Sequence, residues 1–299
     1  MLFNYFKKKD SVPEQFLDTS PFNKVNNFAC YINNTVKSKV AKSDYDLVII
    51  DTCDPDGKLF NAKDLYEMKQ REGKPDKLLI GYISLGEAEN YRWYWKKEWK
   101  KNPPKWLGRE NKEWPGNFPV HFWTEDWWQI TQQILDKVLE QDFDGVFIDK
   151  VDVYNDLGGD DHLANSMRDY IIKVSQYLKS KKSDFILLSS NAAELAIFDD
   201  RTVDYPYLDA WDGIVREDLW FTSDGDGVTP GAAEKRVAKE VNQAVDDLNI
   251  WKNADKKIFV IDYAVGRQWI WARDKIKKIG FIGYCSDRGL VDLRENVWA

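Results

Sequence analysis

The chain has 299 residues and a formal net charge of −7, and 43% of its residues are hydrophobic and 31% charged. These proportions predict a folded, soluble protein with a substantial core, and no segment approaches the roughly 18 uninterrupted apolar residues that a membrane helix needs. The acidic balance argues against nucleic acid as the main partner, because phosphate binding needs a concentrated basic face.

Eight short strand-like runs, rich in Val, Ile, Phe and Tyr, recur along the chain. In chain order they are FACYI (28–32), DLVIID (46–51), LLIGYIS (78–84), FDGVFID (143–149), DFILLSS (184–190), AWDGIVRE (210–217), KIFVID (257–262) and GFIGYCS (280–286). Segments with helical periodicity lie after the second run and before the fourth, fifth and seventh. Because parallel strands need long crossover connections, this alternation predicts an α/β fold with a parallel sheet.

Eight is the number of strands that closes a (β/α)8 TIM barrel, and the chain length is typical of that fold. The alternative, a doubly wound open sheet, usually carries a Gly-rich loop after its first strand, and this sequence has none there. We therefore predict one barrel domain over residues 1–299, with 1–24 as an N-terminal extension, and expect a monomer. The first residues do not resemble a signal peptide, because their apolar run is short and precedes the charges.

Tryptophan is concentrated in one part of the chain, since eight of the 14 Trp residues lie between residues 93 and 128. The connection after the third strand runs from about Glu87 to Thr124 and holds most of them. Long connections of this kind are usually functional, which predicts a Trp-rich insertion over the C-terminal face of the barrel. The competing explanation is a small satellite core beneath the loop, and we expect core packing to account for the majority of these rings.

Cysteine and histidine are scarce, with three Cys and two His in the chain. The three cysteines have no CxxC spacing and are odd in number, so neither a zinc site nor a disulfide framework is indicated. Metal-centred hydrolases usually need more imidazole than two histidines supply. The sequence therefore favours chemistry without a metal or another cofactor.

Carboxylates at the ends of the fourth and sixth strands are the best candidates for catalysis. Side chains alternate along a strand, so Asp149 and Glu217 are each expected to point into the mouth of the barrel. Glycoside hydrolysis needs two carboxylates from opposite sides of the linkage, and we expect Asp149 as nucleophile and Glu217 as general acid and base. The non-catalytic alternatives are a loop-capping role for Asp149 and an ion pair between Glu217 and Arg216.

Further polar and aromatic residues at or just beyond the strand ends are expected to bind the substrate. They are Asp51, Tyr82, Glu87, Glu89, Tyr91, Arg92, Trp114, Asp152, Asn191, Glu194, Asp262 and Tyr263. Acidic side chains favour polyhydroxylated or amine-bearing ligands, and aromatic faces stack on sugar rings or hold ammonium groups. Any one of the acids could instead form a structural salt bridge.

Two other functions are consistent with these residues. One is a non-catalytic carbohydrate-binding barrel that keeps the Trp-lined groove. The other is a class I aldolase that uses Lys150 as a Schiff-base nucleophile, although strand alternation is expected to turn Lys150 away from Asp149 and toward the outside or the loop.

The strings GYISLGEAENYRWYW (81–95), WLGRENKEWPGNFPVHFW (106–123), FDGVFIDKVDVY (143–154) and SSNAAEL (189–195) resemble the endo-α-1,4-polygalactosaminidase family of glycoside hydrolases. The resemblance covers residues 28–286. It implies a (β/α)8 barrel and an endo-acting hydrolase of galactosamine-rich polysaccharides, with a catalytic Asp at the position of Asp149 and a Glu at that of Glu217. Glu194 is a reserve for the second carboxylate. Members are often exported, so the resemblance also implies a location outside the cytoplasm.

Overall fold

The computed structural model describes residues 20–223, 233–264 and 268–294 of the chain. One eight-stranded sheet forms its centre. Its strands are β1 (Phe28–Tyr31), β2 (Leu47–Asp51), β3 (Leu78–Ser84), β4 (Gly145–Asp149), β5 (Ile186–Ser190), β6 (Gly213–Glu217), β7 (Lys257–Asp262) and β8 (Ile282–Cys285). The eight strands predicted from the sequence are therefore confirmed, each within a few residues of its predicted ends.

The strands follow one another around the sheet in chain order, and every hydrogen-bonded pair is parallel. The two outermost strands, β1 and β8, also contact each other, and the rings of Phe28 and Tyr284 lie 6.0 Å apart. The sheet is thus a nearly closed barrel, and the predicted (β/α)8 fold is confirmed. Its carboxyl ends share one rim, which is where barrels build their sites.

Helices occupy the crossovers between the strands. They are α1 (Lys37–Lys42), α2 (Ala62–Lys69), α3 (Glu125–Gln141), α4 (Val153–Asp156), α5 (Asp161–Lys181), α6 (Tyr205–Asp209), α7 (Ala238–Asn253) and α8 (Gln268–Lys278). Short 3-10 helices cover Pro21–Lys24, Lys97–Lys100 and Ala193–Ala196. Helix α3 shows why these segments are helical, because Ile134, Leu135 and Val138 recur at helical spacing and form its buried face.

The core lies inside the barrel and between the barrel and its helices. Strand residues are buried on both faces, which is the pattern of a covered parallel sheet. Inside, the ring of Phe28 meets that of Phe259 edge-on at 4.9 Å. Each large apolar side chain buried in this way contributes roughly 1.5–3 kcal/mol.

The connection between β3 and α3 carries a small antiparallel hairpin, Glu87–Glu89 paired with Asn117–Pro119. Most of the clustered tryptophans pack rather than point to solvent. Trp106, Trp127 and Trp128 are buried, Trp95 and Trp99 pack partly buried against the core, and Trp93, Trp114 and Trp123 are exposed. The indole of Trp127 donates a hydrogen bond to the carbonyl oxygen of Leu85 at 3.0 Å. Packing around the base of the connection therefore fixes the segment that borders the barrel rim.

Candidate active site

A cleft of about 920 Å³ opens at the carboxyl ends of the strands. Asp149 ends β4 and Glu217 ends β6, and both side chains line this cleft. The structure thus brings together the two carboxylates that strand alternation had directed to the barrel mouth. Strand β5 lies between β4 and β6 in the sheet, so the two acids rise from opposite sides of one strand.

Asp149 is held at both carboxylate oxygens. The hydroxyl of Tyr82, from the neighbouring strand β3, donates to Oδ2 at 2.8 Å, and the backbone N–H of Lys150 donates to Oδ1 at 2.8 Å. Donors at both oxygens fix the orientation of the carboxylate. No basic side chain lies within ion-pair distance of Asp149 among the residues that the structure describes, so its charge is left to act on the cleft.

Glu217 has a different environment, in which its protonated form is favoured. Burial raises its pKa to about 7, the negative charge of Asp149 adds to the rise, and hydrogen bonds from Tyr263 and Asn191 oppose it. The expected alternative, an ion pair with Arg216, does not form, because that guanidinium contacts Asp218 instead, at 3.4 Å. A carboxyl group that titrates near neutrality can both give and take a proton at physiological pH.

Arg92 joins several of the predicted binding residues into one ion-pair network. Its guanidinium donates to both oxygens of Asp51 at 2.7 and 2.9 Å and to Glu89 at 2.7 Å. The hydroxyl of Tyr91 also donates to Glu89, at 2.6 Å. The four side chains line the cleft, but their strongest contacts are with one another, so they form part of its wall.

Glu87 is almost completely buried at the edge of the cleft. The side-chain amides of Asn111 and Asn117 donate to its two oxygens at 2.9 and 3.3 Å. Burial raises the pKa of Glu87, these two amides and Lys150 lower it, and the charge of Asp149 raises it further. The carboxylate ties the first hairpin strand to the second strand and to the loop between them. Neither asparagine was predicted from the sequence.

Lys150 lines the cleft, and its side chain is directed to the segment after β4, one of the two directions expected from the sequence. Its backbone has a φ of 59°, which lies in the left-handed region and interrupts the strand alternation on which the prediction depended. Its ammonium group contacts Asp156 at 2.8 Å and Asp152 at 3.6 Å. Burial alone lowers the pKa of Lys150, but these carboxylates outweigh it and raise the pKa, which opposes the neutral amine that a Schiff-base nucleophile requires.

Asp152 lies beside this lysine, partly buried in the cleft wall. Burial raises its pKa, the ammonium group of Lys150 lowers it, and Asp149 raises it further. Because Lys150 contacts both Asp152 and Asp156, one positive charge faces two carboxylates, and this part of the cleft keeps a net negative charge.

Glu194 and Trp114 line the cleft with exposed side chains. The hydroxyl of Tyr154 donates to Glu194 at 3.0 Å. The guanidinium of Arg288 lies over the indole ring of Trp114, 5.3 Å from its centre. Both side chains leave polar or aromatic surface open to a ligand.

Asp262 is not at the cleft, in contrast to its neighbour Tyr263. The carboxylate of Asp262 is completely buried and accepts the backbone N–H groups of Trp220 at 3.2 Å and Phe221 at 2.8 Å. Burial raises its pKa to about 7, and the two backbone donors act in the opposite direction. The contact holds the segment that follows β6 against β7, so the structure gives Asp262 a structural position and not the predicted contact with substrate.

Sequence reasoning also missed an ion-pair group directly after Glu217. Asp218 has a φ of 49° and lines the cleft, where Arg236 contacts it at 2.7 Å and Arg216 at 3.4 Å. As at Lys150, a left-handed residue directly follows the strand and lines the same cleft as the carboxylate before it. The signal that could have revealed this group is the Arg216–Glu217–Asp218 run of charges at a strand end.

Gly86 allows the third and fourth strand ends to approach each other. A Cβ atom there would overlap the carbonyl oxygen of Lys150 and lie 2.8 Å from the Cβ of Val153. Backbone cannot move aside as a flexible side chain can, so only glycine fits between the β3 connection and the residue after Asp149.

Among the described residues, no group of three or more His, Cys, Asp or Glu is arranged to hold a metal ion. None of the helices in the described part of the chain is long and apolar enough to cross a membrane.

A (β/α)8 barrel with paired carboxylates at its carboxyl rim is an architecture of glycoside hydrolases. The chain belongs to glycoside-hydrolase family GH114, whose model matches residues 12–298, and it is a glycoside hydrolase. The resemblance stated from the sequence is confirmed.

Two relatives cover most of the chain. Protein MJ1477 of Methanocaldococcus jannaschii is 34% identical over 270 residues, which cover 88% of this chain and 73% of the relative. A protein of Deinococcus radiodurans is 30% identical over 252 residues, which cover 84% of this chain and 76% of the relative.

Two solved structures share the fold. The glycoside hydrolase domain of PelA from Pseudomonas aeruginosa matches with a TM-score of 0.69 and 13% identity, covering 90% of this chain and 97% of the domain. Ega3 of Aspergillus fumigatus, solved in complex with galactosamine, matches with a TM-score of 0.62 and 18% identity, covering 88% of this chain and 91% of Ega3.

Proposed function

We propose that this GH114 member is an endo-acting glycosidase that hydrolyses a galactosamine-rich polysaccharide by double displacement, with Asp149 as nucleophile and Glu217 as general acid and base. The observation that carries the proposal is the pair itself. Two carboxylates from separate strands line one cleft, and the charge of one contributes to raising the pKa of the other to about 7. Different environments for two neighbouring carboxyl groups are the usual way in which acid and nucleophile are assigned.

In the first step, the carboxylate of Asp149 attacks the anomeric carbon while the bond to the leaving oxygen breaks. Glu217, in its protonated form, gives its proton to that oxygen. In the second step, the Glu217 carboxylate takes a proton from water, the water oxygen attacks the anomeric carbon, and the bond to Asp149 breaks. Two inversions at one carbon give retention of configuration.

The cleft supports an amino-sugar polymer as substrate. Its volume of about 920 Å³ lies near the upper end of the roughly 300–1,000 Å³ usual for ligand sites, which leaves room for sugars on both sides of a linkage. Carboxylates outnumber basic side chains in its lining, which favours the ammonium group of an unacetylated sugar. Ega3, which shares the fold, was solved with galactosamine. We propose that Trp114 and Glu194 contact sugar rings, and that the enzyme meets its polymer outside the cytoplasm.

The test is release of reducing ends from defined, partly deacetylated galactosamine polymers, with the products analysed by mass spectrometry. The wild-type protein is expected to give a mixture of oligosaccharides early in the reaction, as an endo-acting enzyme does. Asp149→Asn keeps the shape of the side chain but removes the nucleophile, so cleavage should fall at least roughly 10³-fold.

Asp184→Asn is the matched control, because Asp184 is exposed and precedes β5 at the rim opposite the cleft. It should leave cleavage and the urea unfolding midpoint unchanged. Wild-type-like cleavage by Asp149→Asn would refute the role of Asp149. A wild-type protein that binds such polymers without releasing reducing ends would refute hydrolysis of this substrate.

The stereochemistry has its own test, since NMR of the first products shows the anomer released. Double displacement predicts retention and requires the carboxyl groups of Asp149 and Glu217 to lie roughly 5–5.5 Å apart, since a separation of roughly 6.5–9.5 Å is typical of inverting enzymes. A first product with inverted configuration would refute double displacement and indicate a single direct attack by water.

A further inference from the structure

Each carboxylate oxygen of Glu217 accepts one hydrogen bond, and its backbone N–H donates another. The hydroxyl of Tyr263 donates to Oε1 at 2.5 Å, and the side-chain amide of Asn191 donates to Oε2 at 3.0 Å. The amide oxygen of Asn191 in turn accepts the backbone N–H of Glu217 at 3.0 Å. Three hydrogen bonds thus fix both the position and the rotation of one carboxylate.

The two donors are themselves fixed by the barrel. Tyr263 directly follows β7 and is buried, and Asn191 directly follows β5, so they flank Glu217 from the strands on either side of β6. The backbone N–H of Asn191 donates to the carbonyl oxygen of Val215 at 3.0 Å, and the hydroxyl of Ser189 donates to the carbonyl oxygen of Asn191 at 3.2 Å. A site held by strand ends keeps its geometry better than one held by mobile loops.

The backbone of Asn191 also explains why an amide is suited to this position. Its φ of 53° lies in the left-handed region, which asparagine adopts more readily than most other residues. The side chain must offer a donor to the carboxylate and an acceptor to the backbone N–H at the same time. An amide does both, whereas a carboxylate in its place offers two acceptors and a repelling charge.

We propose that Tyr263 and Asn191 are positioning residues that hold the carboxylate of Glu217 in its reactive orientation and support its anionic form, and that they do not bind the sugar. This assignment replaces the substrate contact expected for both from the sequence, and its catalytic consequence rests on the proposed function of Glu217.

Glu217 needs hydrogen bonds that stabilise its ionised form because it has two roles in the proposed mechanism. In double displacement the same carboxyl group must be protonated in the first step and ionised in the second. Burial and Asp149 favour the protonated form of Glu217, while Tyr263 and Asn191 favour the ionised one, and the balance sets its pKa at about 7. Without the two donors, Glu217 remains an acid but becomes a poor base, because too little of it is ionised near neutral pH.

The first experiment needs no substrate. The titration of Glu217 is followed by infrared or ¹³C difference spectroscopy, in which each protein is compared with the same protein carrying Glu217→Gln. Tyr263→Phe removes one donor and keeps the ring, so the midpoint should rise by about one pH unit. Asn191→Asp keeps the left-handed backbone and the acceptor but places a second charge at Oε2, so the midpoint should rise further.

Tyr177→Phe is the matched control. The hydroxyl of Tyr177 also donates to a carboxylate, that of Asp136 at 2.7 Å, but this pair joins α5 to α3 on the outside of the barrel. The variant should leave the titration of Glu217 unchanged. The proposal would be overturned if Tyr177→Phe shifted the titration midpoint of Glu217 as much as Tyr263→Phe does. It would also be overturned if neither Tyr263→Phe nor Asn191→Asp shifted that midpoint.

The second experiment measures the pH profile of polymer cleavage. Tyr263→Phe should move the alkaline limb of kcat/KM upward and lower kcat about 10- to 100-fold, with KM changed less than about threefold. A raised KM with unchanged kcat would overturn the proposal, because it indicates direct contact with the sugar. If the wild-type protein cleaves no galactosamine polymer while the titration midpoints still shift, the proposed function fails and the positioning of Glu217 stands.

Discussion

Replacing Arg92 by methionine removes the guanidinium that holds Asp51 and Glu89 together at the edge of the cleft. The arginine side chain is 9% exposed, and those of Asp51 and Glu89 are 16% and 3% exposed. Methionine fills much of the space but leaves both carboxylates without their cation. The variant therefore tests how much an ion-pair network at the barrel rim contributes to stability.

The expected loss follows from the two carboxylates left behind. Breaking a buried ion pair by removing one partner costs about 3–5 kcal/mol, mainly because the remaining charge is desolvated and uncompensated. Glu89 carries most of this cost, because its carboxylate is less exposed to water than that of Asp51. Without Arg92, the side-chain contact that remains to Glu89 is the single hydrogen bond from the hydroxyl of Tyr91. We therefore expect Arg92→Met to lower the free energy of unfolding by about 3–5 kcal/mol at pH 7.

The assay is urea unfolding of both proteins at pH 7 and pH 5. An uncompensated carboxylate can take up a proton as the pH falls, which removes the unpaired charge, so the gap between variant and wild type should narrow at pH 5. Lys137→Met is the control, because it removes the same charge from an exposed pair with Glu140 on α3. It should cost less than about 1 kcal/mol.

Two results would contradict this reasoning. A loss as small as that of Lys137→Met would mean that the carboxylates are solvated well enough without Arg92. A loss that does not diminish at pH 5 would assign the effect to lost packing of the arginine stem and not to unpaired charge.

Two further predictions concern the buried acid and the exposed ring. Because the pKa of Asp262 is about 7 in the folded protein and roughly 4 in an unfolded chain, its contribution to stability is fully present below about pH 4 and is lost as the pH rises toward 7. In the wild-type protein the free energy of unfolding should therefore fall between pH 5 and pH 8, and Asp262→Asn should make this fall smaller. The measurement is urea unfolding at several pH values, and an equal fall in both proteins would show that Asp262 does not titrate in this range. Trp114→Ala removes an exposed aromatic face from the cleft and should raise KM for the polymer about tenfold with kcat within about twofold, so an unaltered KM would exclude stacking on Trp114.

The fold was predictable because its signals are local. Strand-like runs of five to eight residues alternate with amphipathic segments, and this pattern alone indicates a parallel sheet of eight strands. The same alternation within each strand places Asp149 and Glu217 at the rim, because the direction of a strand side chain depends only on its position along the strand.

Strand alternation no longer indicates the direction of a side chain where the backbone leaves the strand. Lys150 and Asp218 take left-handed conformations, at φ values of 59° and 49°, and both line the cleft. Neither residue type requires that conformation. At Lys150 the surroundings are tightly packed, because Gly86 lies against it and tolerates no Cβ.

The sequence by itself determined the strand order along the chain and the two acids that end β4 and β6. Only the tertiary structure decided what each acid contacts, because the partners lie far apart in the chain: Asn191 is 26 residues from Glu217, and Tyr263 is 46 residues from it. The same holds for Asp262, which resembles a cleft residue in the sequence but is enclosed by the segment after β6. Burial and hydrogen-bond partners depend on which strands the barrel makes neighbours, and no local pattern contains that information.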